Sequence, residues 1–309
     1  DPGRIEVRTT DIAEGTQPLV VRAVDAADNA ADSQPVTVRV DRFELLAKSL
    51  RPLPFGKEEI VDGSVVRHSG FADPEQRYRQ RYADLAVHPE VRSLFIARSR
   101  MITAMRTFLD ARAYLEVETP VLQPLYGGAA AKPFTTHHNA LDMPLFLRIA
   151  DELYLKRLIV GGFERVYEIG HDFRNEGIDR THNPEFTMLE FYEAYADYGD
   201  MMRLVEELIV HAADAVRSVP GLADGVPVLR PPFRRMEWVP ALDEAVGVSV
   251  LAQSDDTLRN IATRLGVQHV EPLSRPKLID EIFQVAVESR LDEPTFVLDY
   301  PRELSPLAK

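Results

Sequence analysis

The sequence predicts an α+β fold, in which an antiparallel sheet is flanked by helices and preceded by a small N-terminal β segment. Helical and strand-like segments alternate irregularly along the 309 residues, without a repeated strand–helix–strand unit. Two strand-like runs joined by a polar loop within residues 163–198 indicate an antiparallel pair. Hydrophobic residues at 45% and charged residues at 28% are typical of globular proteins.

Residues 1–72 form the predicted N-terminal β segment. Apolar and polar residues alternate over Ile5–Val7 and Val36–Val40, and Asp62-Gly63 is a strong hairpin turn signal. Residues 41–50 are expected to form a last strand and a short helical turn. The first forty residues hold too few strands for an independent sandwich. The end of an immunoglobulin-like or fibronectin-like repeat and the tail of an oligonucleotide-binding barrel therefore both remain open.

Residues 73–309 form the second predicted domain. Three- and four-residue hydrophobic spacing predicts helices over 89–113, 151–160, 199–216, 257–265 and 277–291. Short strands are expected over 114–120, 269–273 and 295–299. Asp151 is a candidate N-cap, with Glu152 in the first turn of its helix.

A charged run near the start of this domain, residues 74–85, alternates arginines with Tyr78 and Tyr82. Arginines interleaved with aromatics can bind nucleic acid. The favoured interpretation is a solvated helix start that packs its tyrosines.

The hairpin within residues 163–198 is the stretch around which the domain is organised. Two-residue spacing places polar and aromatic side chains on one face of each strand; they are Glu168, Gly170, Asp172, Arg174 and Glu176 on the first strand, and Phe186, Met188, Glu190 and Tyr192 on the second. Glu190 stands in an otherwise apolar run, where a core strand would not tolerate a lone carboxylate. This favours a binding surface over a merely solvated hairpin face.

Composition excludes several classes of function. The balance of 36 basic and 49 acidic residues gives a net charge of −13, which disfavours non-specific binding of DNA. The absence of cysteine excludes disulfide and thiolate chemistry and fits a cytoplasmic protein. No apolar run approaches the length of a membrane span, so no membrane association is expected.

Two smaller features precede the hairpin. Residues 126–133 form a loop rich in glycine and alanine, in which Gly127 and Gly128 would allow the backbone to approach a ligand closely. His137 and His138 are adjacent on a predicted strand and so point to opposite sides, which makes them a poor metal pair. We expect both histidines to be structural.

Three stretches carry a family resemblance; they are YLEVETPVLQPLYGGAAAKPFTTHHNALD, ELYLKRLIVGGFERVYEIG and DFRNEGIDRTHNPEFTMLEFYEAYADY. From about Asp41 to Lys309 the chain resembles class II lysyl-tRNA synthetases. The resemblance implies that the α+β fold is the class II aminoacyl-tRNA synthetase core. It implies ATP-dependent activation of lysine to lysyl-adenylate and transfer of the lysyl group to tRNA(Lys). It also implies Mg²⁺ as a cofactor and a homodimer, with Pro120 at the interface.

The resemblance assigns an ATP site to the hairpin. Arg174 would contact the α-phosphate and the lysine carboxylate and is the implied catalytic residue, because its donor fork suits both anions. Phe186 would stack on adenine and Glu176 would read the amino edge of the base. His182 and Asn183 would lie near the phosphates.

The resemblance also assigns a lysine site. Glu152 would pair with the α-amino group, while Glu190 and Tyr192 would line the side-chain pocket, with Tyr192 reaching the ε-ammonium. Gly128 would let the backbone close over the substrate, and Arg174 would hold the carboxylate.

The chain also departs from the family pattern. The glycine-rich third motif and the acidic residues expected to bind magnesium would lie beyond residue 309, so no metal ligand is expected within the chain. From the family pattern we also expect this chain to lack most strands of the anticodon-binding domain. We therefore expect this chain to form lysyl-adenylate inefficiently by itself.

Two alternatives remain open from the sequence. One is a lysyltransferase that modifies a protein such as elongation factor P, on the same fold. The other is a non-catalytic, synthetase-derived binding module. An assay that compares lysylation of tRNA with lysylation of the protein factor distinguishes the first alternative from a tRNA synthetase. Calorimetry with ATP and lysine distinguishes the second, because a folded chain that binds neither ligand would favour the binding module.

Overall fold

The structure is a computed structural model that describes residues 70–305, residue 54 and the backbone of five strands before residue 70. The expected strand and turn over 41–50 lie outside the described residues. The chain forms two compact units, Asp1–Arg98 with Arg217–Gly225 and Ser99–Val216 with Val226–Lys309. The family-based division at residue 72 remains a prediction.

The described elements, in chain order, are thirteen strands and eight α-helices. The strands are β1 (Arg4–Val7), β2 (Val20–Val24), β3 (Val36–Thr37), β4 (Lys57–Val61), β5 (Ser64–His68), β6 (Leu115–Glu116), β7 (Leu122–Gln123), β8 (Thr135–His138), β9 (Met143–Leu147), β10 (Arg165–Phe173), β11 (Glu185–Glu193), β12 (Arg234–Glu237) and β13 (Thr295–Leu298). The helices are α1 (Pro74–Arg79), α2 (Arg81–Val87), α3 (Val91–Asp110), α4 (Glu152–Val160), α5 (Tyr198–Arg217), α6 (Trp238–Val246), α7 (Asp255–Leu265) and α8 (Arg275–Ala286). Short 3-10 turns lie at Ala223–Gly225, Val250–Ala252 and Glu288–Arg290.

The N-terminal strands form two antiparallel groups. The first is a three-stranded sheet in the order β1-β2-β3. The second is the pair β4 and β5, in which Val61 lies opposite Ser64. This pairing confirms the predicted hairpin, although its two turn residues are not described.

The charged run after residue 73 is helical, as predicted, but its tyrosines are not packed. Tyr78 and Tyr82 are 73% and 71% exposed, so this part of the prediction is wrong. A carboxylate of this segment is buried instead. Asp84 accepts a hydrogen bond from Arg77 Nε at 2.7 Å and pairs with Arg81. Burial acts to raise the pKa of Asp84, but the hydrogen bonds from Arg77 and His88 outweigh it and lower that pKa.

The second unit contains the predicted α+β arrangement. Strand β10 lies at the centre of the sheet β11-β10-β6, antiparallel to β11 and parallel to β6. A second sheet has the order β7-β9-β8 and is antiparallel, while β12 and β13 pair in parallel.

Two hydrophobic clusters stabilise this unit. The first holds the inner face of the central sheet against its helices and contains Phe108, Leu109, Tyr114, Tyr167 and Leu208. The second joins α6, α7 and α8, where the rings of Trp238 and Phe283 stack with their centroids 4.5 Å apart. The first cluster buries one face of β10 and β11 and leaves the opposite face for polar side chains.

The structure corrects three local predictions. Residues 269–273 form a turn that leads into α8, not a strand, and β12 with α6 was not predicted. Asp151 does occupy the N-cap position of α4, but its carboxylate accepts no capping hydrogen bond. Within the part of the chain that the structure describes, no helix is long and apolar enough to cross a membrane.

Candidate active site

The site is built on the polar face of the β10–β11 pair, and the register of the two strands sets its order. Glu168 lies opposite Glu190, Gly170 opposite Met188, and Asp172 opposite Phe186. Directly opposed residues in an antiparallel pair share a face, so the predicted clustering of these side chains is confirmed. Strand β10 ends at Phe173, however. Arg174 and Glu176 are therefore in the loop, and strand alternation does not set their direction.

The buried guanidinium of Arg148 lies against this face. Its Nε donates to the carbonyl of His171 at 3.0 Å, and its Nη1 forms a close hydrogen bond with Glu168 Oε1. Glycine at position 170 leaves the space that it needs, since a Cβ there would overlap Arg148 Nη2. The sequence analysis predicted neither the position of Arg148 nor the space that Gly170 leaves for it, because Arg148 is distant in sequence from the hairpin.

Glu168 is the most completely satisfied carboxylate of the face. Besides the contact with Arg148, its Oε2 accepts hydrogen bonds from the Thr119 amide at 3.1 Å and from the Thr119 hydroxyl at 2.7 Å. Glu168 is buried. This carboxylate is therefore structural and joins β10 to the segment that follows β6.

Two further buried carboxylates approach Arg148. Asp151 Oδ1 is 2.9 Å from its Nη1, and Asp172 Oδ1 is 3.2 Å from its Nε. Among the described residues none donates a well-aligned hydrogen bond to either carboxylate. Burial, and then the charge of Asp172, raises the pKa of Asp151 to about 7. Burial also raises the pKa of Asp172, although the Arg148 charge acts in the opposite direction.

Glu190 and Tyr192 lie next to each other on β11, as predicted. The Tyr192 hydroxyl donates to Glu190 Oε1 at 2.7 Å, and the amide of Asp151 donates to Glu190 Oε2 at 3.1 Å. Burial and the hydrogen bond to Glu190 both raise the pKa of Tyr192, so this hydroxyl remains protonated. The structure thus fixes one half-buried carboxylate at this end of the face.

Gly128 and Glu152 come together at the same end. Gly128 has φ +91°, and a Cβ there would lie 2.9 Å from Glu152 Cβ and 3.1 Å from Ala150 Cβ. The Glu152 carboxylate is 2.5 Å from Lys156 Nζ, one turn along α4, and Lys156 Nζ is 5.8 Å from the centroid of the Tyr192 ring. The ammonium of Lys156 therefore lies beside the Glu152 carboxylate and the Tyr192 ring.

Arg174 and Phe186 lie together at the other end of the face. The Arg174 Cζ is 5.2 Å from the centroid of the Phe186 ring, and the Arg174 amide donates to the Pro184 carbonyl at 2.8 Å. The Arg174 Nε is buried and has no hydrogen-bond partner among the described residues. This guanidinium keeps donor capacity for a ligand beside an aromatic face.

The remaining predicted ATP residues, Glu176, His182 and Asn183, are exposed on the loop between β10 and β11. Asp179 organises this loop, because its Oδ1 accepts from the amides of Thr181 at 2.7 Å and His182 at 2.8 Å. The hydrogen bonds from Thr181, and then that from His182, lower the pKa of Asp179 to about 2. The loop is thus pre-shaped, although no hydrogen bond or ion pair joins the side chains of Glu176, His182 or Asn183 to Arg174 in the described residues.

Three predicted residues lie outside the face. Pro120 is exposed and only its carbonyl is engaged, accepting from Gln123 Nε2 at 3.0 Å. His137 pairs with Asp142 at 3.1 Å and is exposed. His138 accepts from the Leu141 amide at 3.2 Å. Within the described residues no group of three His, Cys, Asp or Glu could hold a metal ion.

These features define an α+β domain with an antiparallel hairpin, which presents a basic and aromatic end, an acidic end and a pre-shaped loop. The family described as tRNA synthetases class II (D, K and N) matches residues 73–309. The chain belongs to this family of class II aminoacyl-tRNA synthetases, whose letters denote aspartate, lysine and asparagine.

Curated relatives are about half identical to the chain. A protein named lysine--tRNA ligase from Christiangramia forsetii is 51% identical over 276 residues, which cover 89% of this chain and 48% of that protein. One of the same name from Carboxydothermus hydrogenoformans is 53% identical over 277 residues, covering 89% and 54%. Another, from Porphyromonas gingivalis, is 49% identical over 276 residues, covering 89% and 47%. The chain spans about half the length of these relatives.

Proposed function

We propose that this domain binds ATP and lysine on the β10–β11 face and supports the formation of lysyl-adenylate, from which the lysyl group is transferred to tRNA(Lys). The observation that carries the proposal is the order of side chains along β11. Phe186 lies beside a cation at one end, and Glu190 with Tyr192 lies at the other. The names of the relatives support lysine over aspartate and asparagine.

The spacing on β11 suits a ligand bound along the strand. Phe186 and Glu190 are four residues apart, roughly 13 Å at about 3.3 Å per residue. Adenine stacked on Phe186 and an ε-ammonium at Glu190 leave the space between them for ribose, phosphate and the lysine chain. Both ligands are then held in fixed relative positions, which is the main contribution an enzyme makes to joining two bound substrates.

The activation step needs charge stabilisation more than a nucleophilic side chain. A lysine carboxylate oxygen attacks the α-phosphorus of ATP, the bond to the β-phosphate oxygen breaks, and pyrophosphate leaves. A hydroxyl of the tRNA terminal ribose then attacks the lysyl carbonyl carbon and AMP leaves. Arg174 stabilises both anions of the first step, because its partly buried side chain keeps an Nε donor that has no partner among the described residues.

Recognition of lysine requires negative charge at two places. We assign the ε-ammonium to Glu190 and Tyr192, and the α-amino group to Glu152. Gly128 provides the backbone that closes over the substrate. Since Lys156 contacts Glu152, the substrate ammonium must share or displace that contact. Aspartate and asparagine offer no cationic side chain to Glu190, so the same site rejects them.

Loop residues and magnesium complete the proposal. Glu176 reads the adenine amino group, and His182 and Asn183 lie near the phosphates on the loop that Asp179 shapes. Magnesium accompanies the triphosphate of ATP, and no described residue is assigned to it. We also propose a cytoplasmic homodimer with Pro120 at its interface, which is supported by the exposed apolar side chains of Val121, Leu122 and Leu125 after it.

Calorimetric titration of the 309-residue chain with lysine, aspartate and asparagine, each with and without ATP, tests the proposal. We expect saturable binding of lysine, with aspartate and asparagine weaker by about two orders of magnitude, because the Glu190 carboxylate would lack its cationic partner. Equal binding of the three amino acids, or none, would overturn it.

A further inference from the structure

We propose that Arg148, seated against Gly170, is a positioning residue that sets the lysine-recognising carboxylate Glu190 and so determines selectivity for a cationic side chain. This inference rests on the proposed function, since it concerns a residue that acts on the proposed lysine site through Asp151. Arg148 belongs to the segment between β9 and α4, and the proposed function assigns it no contact with ATP or lysine.

The surroundings of Arg148 show how tightly it is held. The side chain is buried, and its guanidinium is within ion-pair distance of Asp151, Glu168 and Asp172. The carbonyls of His171 and Thr119 accept from it at 3.0 and 3.4 Å. A buried charge is stable only with such partners, and the planar fork of arginine can serve several of them at once.

The connection to Glu190 passes through Asp151. The Asp151 carboxylate is 2.9 Å from Arg148 Nη1, and the Asp151 amide donates to Glu190 Oε2 at 3.1 Å. Arg148 therefore fixes the start of α4, and the amide at that start fixes Glu190. The other Glu190 oxygen is fixed by Tyr192 at 2.7 Å, so both oxygens have defined positions before the substrate binds.

Electrostatics supports the same role. Arg148 supplies one positive charge to a neighbourhood that contains four carboxylates; these are Asp151, Glu168, Asp172 and Glu190. Burial is the main cause of the raised pKa values at Asp151 and Asp172, and the charges of the neighbouring carboxylates act in the same direction. A substrate ammonium at Glu190 would add a second positive charge to this acidic neighbourhood, whereas a neutral side chain would not.

Gly170 offers a way to disturb Arg148 without removing any charge. A Cβ at this position would overlap Arg148 Nη2 and lie 3.2 Å from its Cζ. Alanine at position 170 therefore forces the guanidinium to move, while all four carboxylates remain. The obvious variant, Arg148→Met, would leave buried charges without a partner and could prevent folding.

The experiment compares the wild-type chain with Gly170→Ala by calorimetry, using lysine, norleucine and ATP as probes. Norleucine has the carbon chain of lysine without the ε-ammonium, so the ratio of the two affinities reports how well Glu190 is placed. We expect Gly170→Ala to lower this ratio by about tenfold or more and to change ATP affinity less than about twofold. Gly70→Ala is the matched control, because a Cβ there meets nothing within 4 Å.

The outcomes separate the two proposals. A folded Gly170→Ala variant with the wild-type ratio would overturn the role of Arg148 while leaving lysine binding intact. A wild-type chain that does not bind lysine would overturn the proposed function and this inference together. If circular dichroism shows that Gly170→Ala is unfolded, Arg148→Lys replaces it; lysine keeps the charge but not the fork, and an unchanged ratio would again overturn the inference.

Discussion

Glu168 and Glu190 lie directly opposite each other on β10 and β11. Like charges in this position destabilise a strand pair unless other groups compensate them. Glu168 is compensated by Thr119 and Arg148, whereas among the described residues Glu190 accepts hydrogen bonds only from a tyrosine hydroxyl and one amide. In the proposed function the two carboxylates therefore have different roles: Glu168 stabilises the fold, and Glu190 binds the substrate ammonium.

Phe186 is expected to stack on adenine. Phe186→Leu removes the aromatic face but keeps most of the side-chain volume, so ATP binding should weaken by about 1–3 kcal/mol. Lysine affinity should change little, since Glu190 lies four residues away along β11. Calorimetry with each ligand measures both effects, and Phe186→Tyr is the control that keeps the ring. Unchanged ATP affinity in Phe186→Leu would refute the assignment.

Asp151 should make stability depend on pH. Its pKa is about 7 in the folded chain against 3.8 for an ordinary aspartate, so the folded state holds the extra proton between these values. The free energy of unfolding contributed by this group therefore falls as pH rises from about 4 to about 7, by at most about 1.4 kcal/mol per pH unit. Asp151→Asn cannot ionise and should lack this component.

Urea unfolding of both proteins at several pH values measures that difference. The charged neighbours are the same in both proteins, so only the difference between the two curves is assigned to Asp151; these neighbours are Arg148, Glu168, Asp172 and Glu190. The exposed Asp292→Asn variant is the control and should parallel the wild type. Parallel curves for Asp151→Asn would show that Asp151 does not retain its proton.

Gly128 should tolerate no side chain. Alanine at φ +91° is strained, and its Cβ would lie 2.9 Å from Glu152 Cβ, so Gly128→Ala should cost roughly 1–3 kcal/mol of stability. Displacement of Glu152 should also weaken lysine binding. Thermal unfolding and calorimetry measure the two effects against Gly225→Ala, where a Cβ meets nothing within 4 Å. Equal behaviour of the two variants would contradict this interpretation.

The proposed dimer should depend on the apolar residues after Pro120. Leu125 is 73% exposed in the single chain, so a glutamate there is expected to be harmless to a monomer and to oppose burial in an interface. Sedimentation velocity should show a dimer for the wild type and a monomer for Leu125→Glu. The matched control is Val228→Glu, which places the same charge at an exposed apolar position elsewhere in the chain. A dimer unaffected by Leu125→Glu would place the interface elsewhere.

The hairpin could be predicted from the sequence because its information is local. Two-residue alternation placed Glu168, Asp172, Phe186 and Glu190 on one face, and the strand register bears this out. Alternation does not say where a strand ends, so the prediction wrongly extended the strand through Arg174 to Glu176, whereas β10 ends at Phe173.

Other parts of the site could not be predicted, because they depend on contacts between distant segments. Arg148 is 20 residues from its partner Glu168, and Thr119 is 49 residues from it. Asp151 is predicted to cap α4 with its side chain. Its carboxylate instead pairs with the buried guanidinium of Arg148 and makes no capping hydrogen bond. Tyr78 and Tyr82 were expected to pack because they are aromatic, yet Asp84 takes the buried position beside the arginines.

The most direct test of lysine recognition on this face is the lysine affinity of Glu190→Gln, measured by calorimetry beside its ATP affinity. Glutamine keeps the size of the side chain and removes its charge, so lysine binding should weaken by about 1.5–3 kcal/mol while ATP binding stays unchanged. The exposed Glu271→Gln variant is the control. Lysine binding to Glu190→Gln at wild-type strength would contradict the assignment of the ammonium to this face.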